Sequence, residues 1–140
     1  MQEIFLIDTN ILVYAYDLSE PKKRQRALKI LKECWEGKTT LAISAQNLSE
    51  FYVIATQKIQ NSLKKEEVKE IIEDIITSKN WKVLNINKEH LLDAINLSIK
   101  HKTSYWDSLI VATMLSNKIF NIYTEDAFDN FSEIKSFNPC

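Results

Sequence analysis

Apolar and polar positions along the chain follow two periods, which predict strands alternating with helices. The continuous apolar run Ile4–Ile7 stops at Asp8, as expected for a strand buried on both faces. Similar short segments predict four more strands, at Leu41–Ile43, Lys82–Ile86, Ile119–Tyr123 and, after a short helical turn, Ile134–Phe137.

Between these segments, apolar residues recur at helical spacing. A helix is predicted from Pro21, which suits a first turn, to Trp35, with Gly37 ending it. Further helices are predicted after Ser44, over 66–78 and 88–101, and over 105–115 after Ser104. The alternation predicts an α/β fold, with a parallel sheet of about five strands and helices on both faces, in one domain over residues 1–140.

Composition narrows the functions open to this fold. The single Gly excludes a Gly-rich phosphate loop, and the wide separation of Cys34 and Cys140 suggests neither a disulfide framework nor a zinc ribbon, so we expect a reducing cytoplasm. The apolar start of the chain has no cationic segment and includes Asp8, and no apolar run is long enough for a membrane span. With a net charge of −1, any binding of nucleic acid must come from a local site.

Four acidic residues fall near one predicted edge of the sheet. Asp8 directly follows the first strand, and Asp126 follows the strand ending at Tyr123 by three residues, while Glu50 and Asp107 lie near the starts of helices. Ligands of open parallel sheets bind beyond the carboxyl ends of the strands. Taken singly, each acid also has a structural interpretation. Asp8 suits a helix N-cap, Asp107 a capping arrangement with Ser104, Asp126 a turn and Glu50 a solvated helix surface.

Together, the four acids predict a metal site. Four converging carboxylates cannot all stay ionised at close range without a cation, and hard oxygen ligands favour Mg²⁺ or Mn²⁺ over Zn²⁺. Such an ion could bridge a phosphate and activate water for attack on a phosphodiester. The pattern therefore indicates a metal-dependent nuclease.

At these residues the sequence resembles the PIN domain family, and within it the VapC-like ribonuclease toxins of bacterial toxin–antitoxin pairs. The matching segments are IDTNILVYAYD (7–17), NLSEF with Glu50, SYWDSLIVATML with Asp107, YTEDAF with Asp126 and the terminal FNPC. The resemblance runs nearly from end to end. It implies a PIN-like three-layer sandwich, a Mg²⁺-dependent endoribonuclease acting on RNA, a homodimer and a cognate antitoxin that blocks the site.

The resemblance also implies roles for individual residues. Asp8 and Asp107 would be the principal metal ligands, and Glu50 and Asp126 would complete the acidic pocket. Thr9, Asn10 and Thr124 would be supporting hydrogen-bonding residues.

Other residues could contact RNA. Lys22, Arg26 and Lys29 share one helical face and could guide an RNA backbone, although a solvated face is the favoured interpretation. Tyr105 and Trp106 flank Asp107 and could stack on a base, with core packing favoured for at least one of them.

Two rival functions remain open from the residues alone. One is a catalytically silent PIN-like domain that binds RNA or a protein, although it would have no need for all four acids. The other is a phosphotransfer domain. A phosphatase of that type would need Asp-x-Asp where the chain has Asp8-Thr9-Asn10, and a receiver would need an acid where the third strand instead leads into Asn87.

Overall fold

Strands and helices alternate along the chain. The structure, a computed structural model, describes residues 3–140. Its strands are β1 (Phe5–Ile7), β2 (Leu41–Ser44), β3 (Trp81–Leu84), β4 (Asn121–Tyr123) and β5 (Lys135–Phe137). Its helices are α1 (Thr9–Tyr14), α2 (Pro21–Trp35), α3 (Ala45–Gln57), α4 (Lys65–Thr77), α5 (Lys88–His101) and α6 (Tyr105–Ser116).

All five strands form one parallel sheet, in the order β3-β2-β1-β4-β5. The predicted α/β class is therefore confirmed. The chain builds outward from β1 to β3 and then crosses back to place β4 on the other side of β1. Strand order thus reverses between β1 and β4, which is where an open parallel sheet offers a ligand site at its carboxyl edge.

Each face of the sheet has its own hydrophobic core. Ile7 of β1 belongs to the core that contains Phe51 of α3. Leu6, the preceding residue, belongs to the opposite core with Ile122 of β4 and Met114 of α6. Successive strand residues point to opposite faces, so a strand buried on both sides needs a continuous apolar run. The three-layer arrangement therefore explains the sequence pattern of β1.

Local signals fix several helix boundaries. α2 covers the predicted Pro21–Trp35, with proline in its first turn and Gly37 at φ 77° just beyond its end. Ser44 and Ser104 cap α3 and α6 as predicted, and each hydroxyl accepts a hydrogen bond from the backbone N–H three residues on. Serine caps and a left-handed glycine act within one turn of helix, so the sequence alone reveals them.

Several boundaries differ from the prediction by one or two residues, and β4, for example, covers Asn121–Tyr123 rather than Ile119–Tyr123. β3 covers Trp81–Leu84 rather than Lys82–Ile86, because the sheet register pairs Trp81 with the first residue of β2 and Leu84 with its last. The short helical turn predicted before the last strand is wrong. Residues 124–134 form turns instead, anchored by the buried rings of Phe128 and Phe131.

The two cysteines are both free, with Cys34 buried and Cys140 partly exposed. Within residues 3–140, no helix is both long enough and apolar enough to cross a membrane.

Candidate active site

Four carboxylates gather at the carboxyl edge of the sheet, beside the reversal between β1 and β4. Asp8 directly follows β1 and Asp126 lies three residues beyond β4, while Glu50 is on α3 and Asp107 in the first turn of α6. The negative charges of Asp126 and Glu50 act on Asp8, and that of Asp126 acts on Asp107. The structure thus brings together the four acids that the sequence pattern singled out.

Asp8 is the most firmly held of the four. Its side chain is 6% exposed, and both carboxylate oxygens accept hydrogen bonds. Oδ1 accepts from the backbone N–H of Thr9 at 2.8 Å and from Nδ2 of Asn47 at 3.3 Å, and Oδ2 accepts from the Thr124 hydroxyl at 2.6 Å. Asp8 is also the N-cap of α1, which begins at Thr9. The structural role foreseen for this residue is therefore real, and it orients the carboxylate within the site.

The ionisation of Asp8 is strongly perturbed. Burial raises its pKa, hydrogen bonds from Thr124 and Thr9 lower it, and the charges of Asp126 and Glu50 raise it again, leaving the pKa at about 6. The ionised form is thus held at a cost in free energy. Perturbed groups of this kind concentrate at functional sites.

Asn47 is a positioning residue that the sequence pattern did not single out. It is fully buried in the first turn of α3, where its Oδ1 accepts from the N–H and hydroxyl of Ser44 at 3.3 and 2.7 Å. Its Nδ2 donates to Asp8 and to the Thr9 hydroxyl, the latter at 3.1 Å. One amide therefore joins the end of β2 to the end of β1. The Ser-x-x-Asn spacing of the cap is visible in the sequence, but the contact with Asp8 depends on the pairing of the two strands.

The three predicted supporting residues all contact this network. The Thr124 hydroxyl donates to Asp8 and accepts from the backbone N–H of Asp126 at 3.0 Å, and Thr9 contacts Asp8 as described. Nδ2 of Asn10 donates to Oδ2 of Asp126 at 3.5 Å. Oδ1 of Asn10 is buried and has no hydrogen-bond partner within residues 3–140. The site thus contains an oxygen whose lone pairs no described donor satisfies.

The helix-borne acids are more accessible to solvent. Burial raises the pKa of Asp107, a hydrogen bond with Ser104 lowers it, and the charge of Asp126 raises it. The backbone N–H of Asp107 donates to the Ser104 hydroxyl at 3.1 Å, so the capping arrangement foreseen for this pair exists. Glu50 and Asp126 are exposed. Burial within the site therefore decreases from Asp8, which is buried, through Asp107, which is half-buried, to Glu50 and Asp126, which are exposed.

A second network, which the sequence did not reveal, holds the segment that contains Asp126. The Tyr14 hydroxyl donates to Oε1 of Glu125 at 2.5 Å, and Nζ of Lys23 donates to Oε2 of Glu125 at 2.9 Å. Burial acts to raise the pKa of Glu125, but these two donors lower it below its ordinary value. Because Glu125 directly precedes Asp126, these contacts from α1 and α2 also hold the backbone at Asp126 in place.

The basic face of α2 lies apart from this network. Lys22, Arg26 and Lys29 are exposed, and within residues 3–140 none of them forms an ion pair. Arg26 donates to the backbone carbonyl of Cys140 at 2.9 Å. The lysine of α2 that contacts the loop after β4 is Lys23, and RNA contact by the other three stays a prediction.

The donor set fits a hard divalent cation. Within residues 3–140 no three His, Cys, Asp or Glu side chains are close enough to enclose an ion, so the acids are gathered without closing around one point. The groups at the site are carboxylates and the unpartnered oxygen of Asn10, with no thiolate or imidazole among them. Oxygen donors of this kind suit Mg²⁺ or Mn²⁺, and Mg²⁺ commonly binds through one or two carboxylates together with water and substrate oxygens.

Fold and site together define a class of protein. The PIN domain family model matches residues 5–135, and the chain belongs to the PIN domain family. No curated protein matches the sequence.

Solved structures with a similar fold include several toxins. One is a toxin–antitoxin complex from Klebsiella pneumoniae (TM-score 0.66, 22% identity, covering 97% of this chain and 98% of that chain). Another is VapBC2 from Rickettsia felis bound to a DNA fragment from their promoter (TM-score 0.68, 20% identity, covering 96% and 98%). A third is VapC20 from Mycobacterium tuberculosis, a toxin that cleaves the sarcin-ricin loop (TM-score 0.66, 17% identity, covering 89% and 90%). At these identities the similarity establishes the fold.

Proposed function

We propose that the protein is a Mg²⁺- or Mn²⁺-dependent endoribonuclease and the toxin of a toxin–antitoxin pair. The observation that carries the proposal is the buried Asp8 carboxylate, held by three donors among three other acids at the reversal point of the sheet. Membership of the PIN domain family and the toxins of similar fold, one of which cleaves the sarcin-ricin loop, support it.

In this proposal Asp8 and Asp107 are the principal metal ligands, and Glu50 and Asp126 complete the set. Bound Mg²⁺ or Mn²⁺ would supply Lewis acidity, which activates water and neutralises charge on a scissile phosphate. Thr124 and Asn47 keep the oxygens of Asp8 in one orientation, so little reorganisation is needed when a cation binds.

The test is cleavage of RNA by purified, antitoxin-free protein. We expect defined rRNA and tRNA fragments to be cut with Mg²⁺ or Mn²⁺ and to stay intact with EDTA. Asp8→Asn should abolish cutting, whereas Asp93→Asn, which neutralises an exposed acid on α5, should leave it unchanged. Folded protein that binds RNA but never cuts it would instead support a silent binding domain, and cutting that persists in Asp8→Asn would exclude the assigned site.

Two protein partners belong to the same proposal. The toxins of similar fold occur in complexes with antitoxins, which supports a cognate antitoxin for this chain. A homodimer is supported by a stripe on α5 whose members are between 41% and 70% exposed, namely Leu91, Leu92, Ile95 and Ile99. Sedimentation of Leu92→Glu against the unchanged protein tests this dimer, since a charge in the stripe should yield monomers. The cytoplasm is the compartment we propose, in keeping with two free cysteines.

A further inference from the structure

A pocket of about 500 Å³ opens beside the acids, between α3 and the start of α6. Its lining residues are Gln46, Ser49, Glu50, Ile86, Trp106 and Leu109. Glu50 belongs both to this pocket and to the acidic site, and Trp106 directly precedes Asp107. A single ligand could therefore place one group in the pocket and its phosphate at the acids.

The apolar side of the pocket includes an exposed aromatic ring. Trp106 is 63% exposed, although an indole normally contributes to a core, and its ring meets Tyr105 edge-on with centroids 5.2 Å apart. Tyr105 instead packs against the small cluster that contains Leu109. Of the two aromatic residues that precede Asp107, one is thus used for packing and the other presents its ring to solvent at the pocket.

Gln46 lines the polar side of the pocket, and its amide oxygen is buried without a partner among the described residues. Gln46 is 8% exposed, and its Nε2 donates to the backbone carbonyl of Trp106 at 3.4 Å. Because that partner is an acceptor, it fixes the orientation of the amide and directs Oε1 elsewhere. Oε1 has no hydrogen-bond partner within residues 3–140, and a buried acceptor left unpaired in this way is unfavourable. A ligand that donates a hydrogen bond would satisfy it.

Two of the lining side chains, Gln46 and Glu50, offer hydrogen-bond acceptors. The hydroxyl of Ser49 donates to the carbonyl of Ala45 at 2.9 Å, and Glu50 is a carboxylate one helical turn from Gln46. Guanine presents adjacent N–H groups on its Watson–Crick edge, whereas uracil places carbonyl oxygens on both sides of its single N–H. Two neighbouring acceptors therefore favour guanine and disfavour uracil.

We propose that this pocket is a nucleobase subsite, in which Trp106 stacks on a base and Gln46 and Glu50 accept hydrogen bonds from its edge, with guanine preferred over uracil. The inference rests on the proposed function, since it places an RNA base beside the acids. It identifies Trp106 and Gln46 as residues that select the cleavage position.

Binding of free nucleosides tests the subsite without requiring metal or catalysis. Guanosine should quench tryptophan fluorescence of the unchanged protein in EDTA more strongly than uridine does. The quenching should disappear in Trp106→Leu and persist in Trp35→Leu, which removes a 40% exposed tryptophan at the far end of α2. Gln46→Met should keep some stacking but lose the preference for guanosine. Thermal unfolding checks that Gln46→Met folds. If Gln46→Met does not fold, the loss or persistence of quenching in Trp106→Leu decides whether the subsite exists.

Cleavage assays then separate this inference from the proposed function. With Mg²⁺, Trp106→Leu should raise KM about tenfold for a short single-stranded RNA, the loss expected for one stacked base, and should spread cleavage over more positions. Quenching by guanosine in a protein that never cuts RNA would support the subsite and refute the nuclease. Efficient cutting with no effect of guanosine, and with unchanged KM and positions in Trp106→Leu, would overturn the subsite alone.

Discussion

Both edges of the sheet contain charged residues, but these residues differ in burial and in the sign of their neighbours. At the amino edge, the exposed residues Glu3, Lys118 and Lys135 line a surface cavity, and Glu3 accepts a hydrogen bond from Asn121 at 3.3 Å. At the carboxyl edge, Asp8 is buried with a raised pKa, and the charges that act on it come from two acids, Asp126 and Glu50. Exposed groups of mixed charge are the ordinary composition of a surface. A buried acid that neighbouring acids repel is unfavourable, and this difference is our reason for proposing the carboxyl edge as the functional one.

The largest expected effect comes from neutralising one acid at each edge. Asp107→Asn should lower metal-dependent RNA cleavage by at least about 100-fold, because it removes a proposed ligand. Glu3→Gln changes the same charge at the amino edge and should leave the rate within about twofold. Initial rates at saturating Mg²⁺ measure both. Equal losses of cleavage rate in the two variants would contradict the functional difference between the two edges of the sheet.

Asn47 should be the next most sensitive position. Asn47→Ala leaves Ser44, Thr9 and one oxygen of Asp8 without their buried partner, so we expect a loss of about 3 kcal/mol in the free energy of unfolding. Activity of the folded fraction should fall about 10- to 100-fold, as is typical for groups that orient a ligand. Urea unfolding measures the loss of stability, and cleavage rates at temperatures where the variant stays folded measure the loss of activity. A variant as active as the unchanged protein would show that Asp8 needs no such support.

Asp8 should make stability depend on pH in the absence of divalent cations. Its pKa is 3.8 in the unfolded chain and about 6 in the folded protein, so the folded state binds the proton more tightly. Its contribution is therefore most favourable below about pH 4, declines between about pH 4 and 6 and stays low above that range. Asp8→Asn removes the charge but also replaces one accepting oxygen with an N–H donor, so the expected signature is a change of about 1–3 kcal/mol, between acidic and neutral pH, in the stability of the variant relative to the unchanged protein.

Urea unfolding of both proteins in EDTA, at acidic and at neutral pH, measures this effect. The difference between Asp8→Asn and the unchanged protein should grow as pH rises, and Mg²⁺ should stabilise only the unchanged protein at neutral pH. A difference that does not vary with pH would contradict the perturbed ionisation of Asp8.

The smallest expected effect concerns the support of Asp126. Tyr14→Phe removes one donor to Glu125, and the free energy of unfolding should fall by about 1 kcal/mol. Cleavage should slow only a few-fold, because Lys23 still binds Glu125. Tyr52→Phe, a half-exposed position on α3, is the matched control. If Tyr14→Phe behaves like that control in both measurements, the second network does not affect the site.

The sequence predicted those parts of the site that depend on local signals. Asp8 and Asp126 were identified because apolar runs end beside them, and Glu50 and Asp107 because they stand near predicted helix starts. Asn47, Gln46 and Lys23 were missed for a common reason. The partners of these residues lie on other elements, at separations of 39, 60 and 102 positions, and only the strand order brings them close.

The fold was predicted more completely than the site, for a related physical reason. Strand burial and helix capping depend on residues that are close together in the sequence, as at Ile4–Ile7 and Ser44. The segment 124–134 shows the limit, because its apolar residues resemble a helical turn while Phe128 and Phe131 pack into the core from an irregular backbone.

Binding of Mn²⁺ tests the central claim most directly, namely that the acids of the carboxyl edge form a metal site. Electron paramagnetic resonance of free Mn²⁺, titrated with protein near neutral pH, reports bound ions without RNA. We predict that the unchanged protein and Glu3→Gln bind Mn²⁺ alike, and that Asp8→Asn and Asp107→Asn bind it at least about tenfold more weakly. Equal binding by all four proteins, or none by the unchanged protein, would contradict the account.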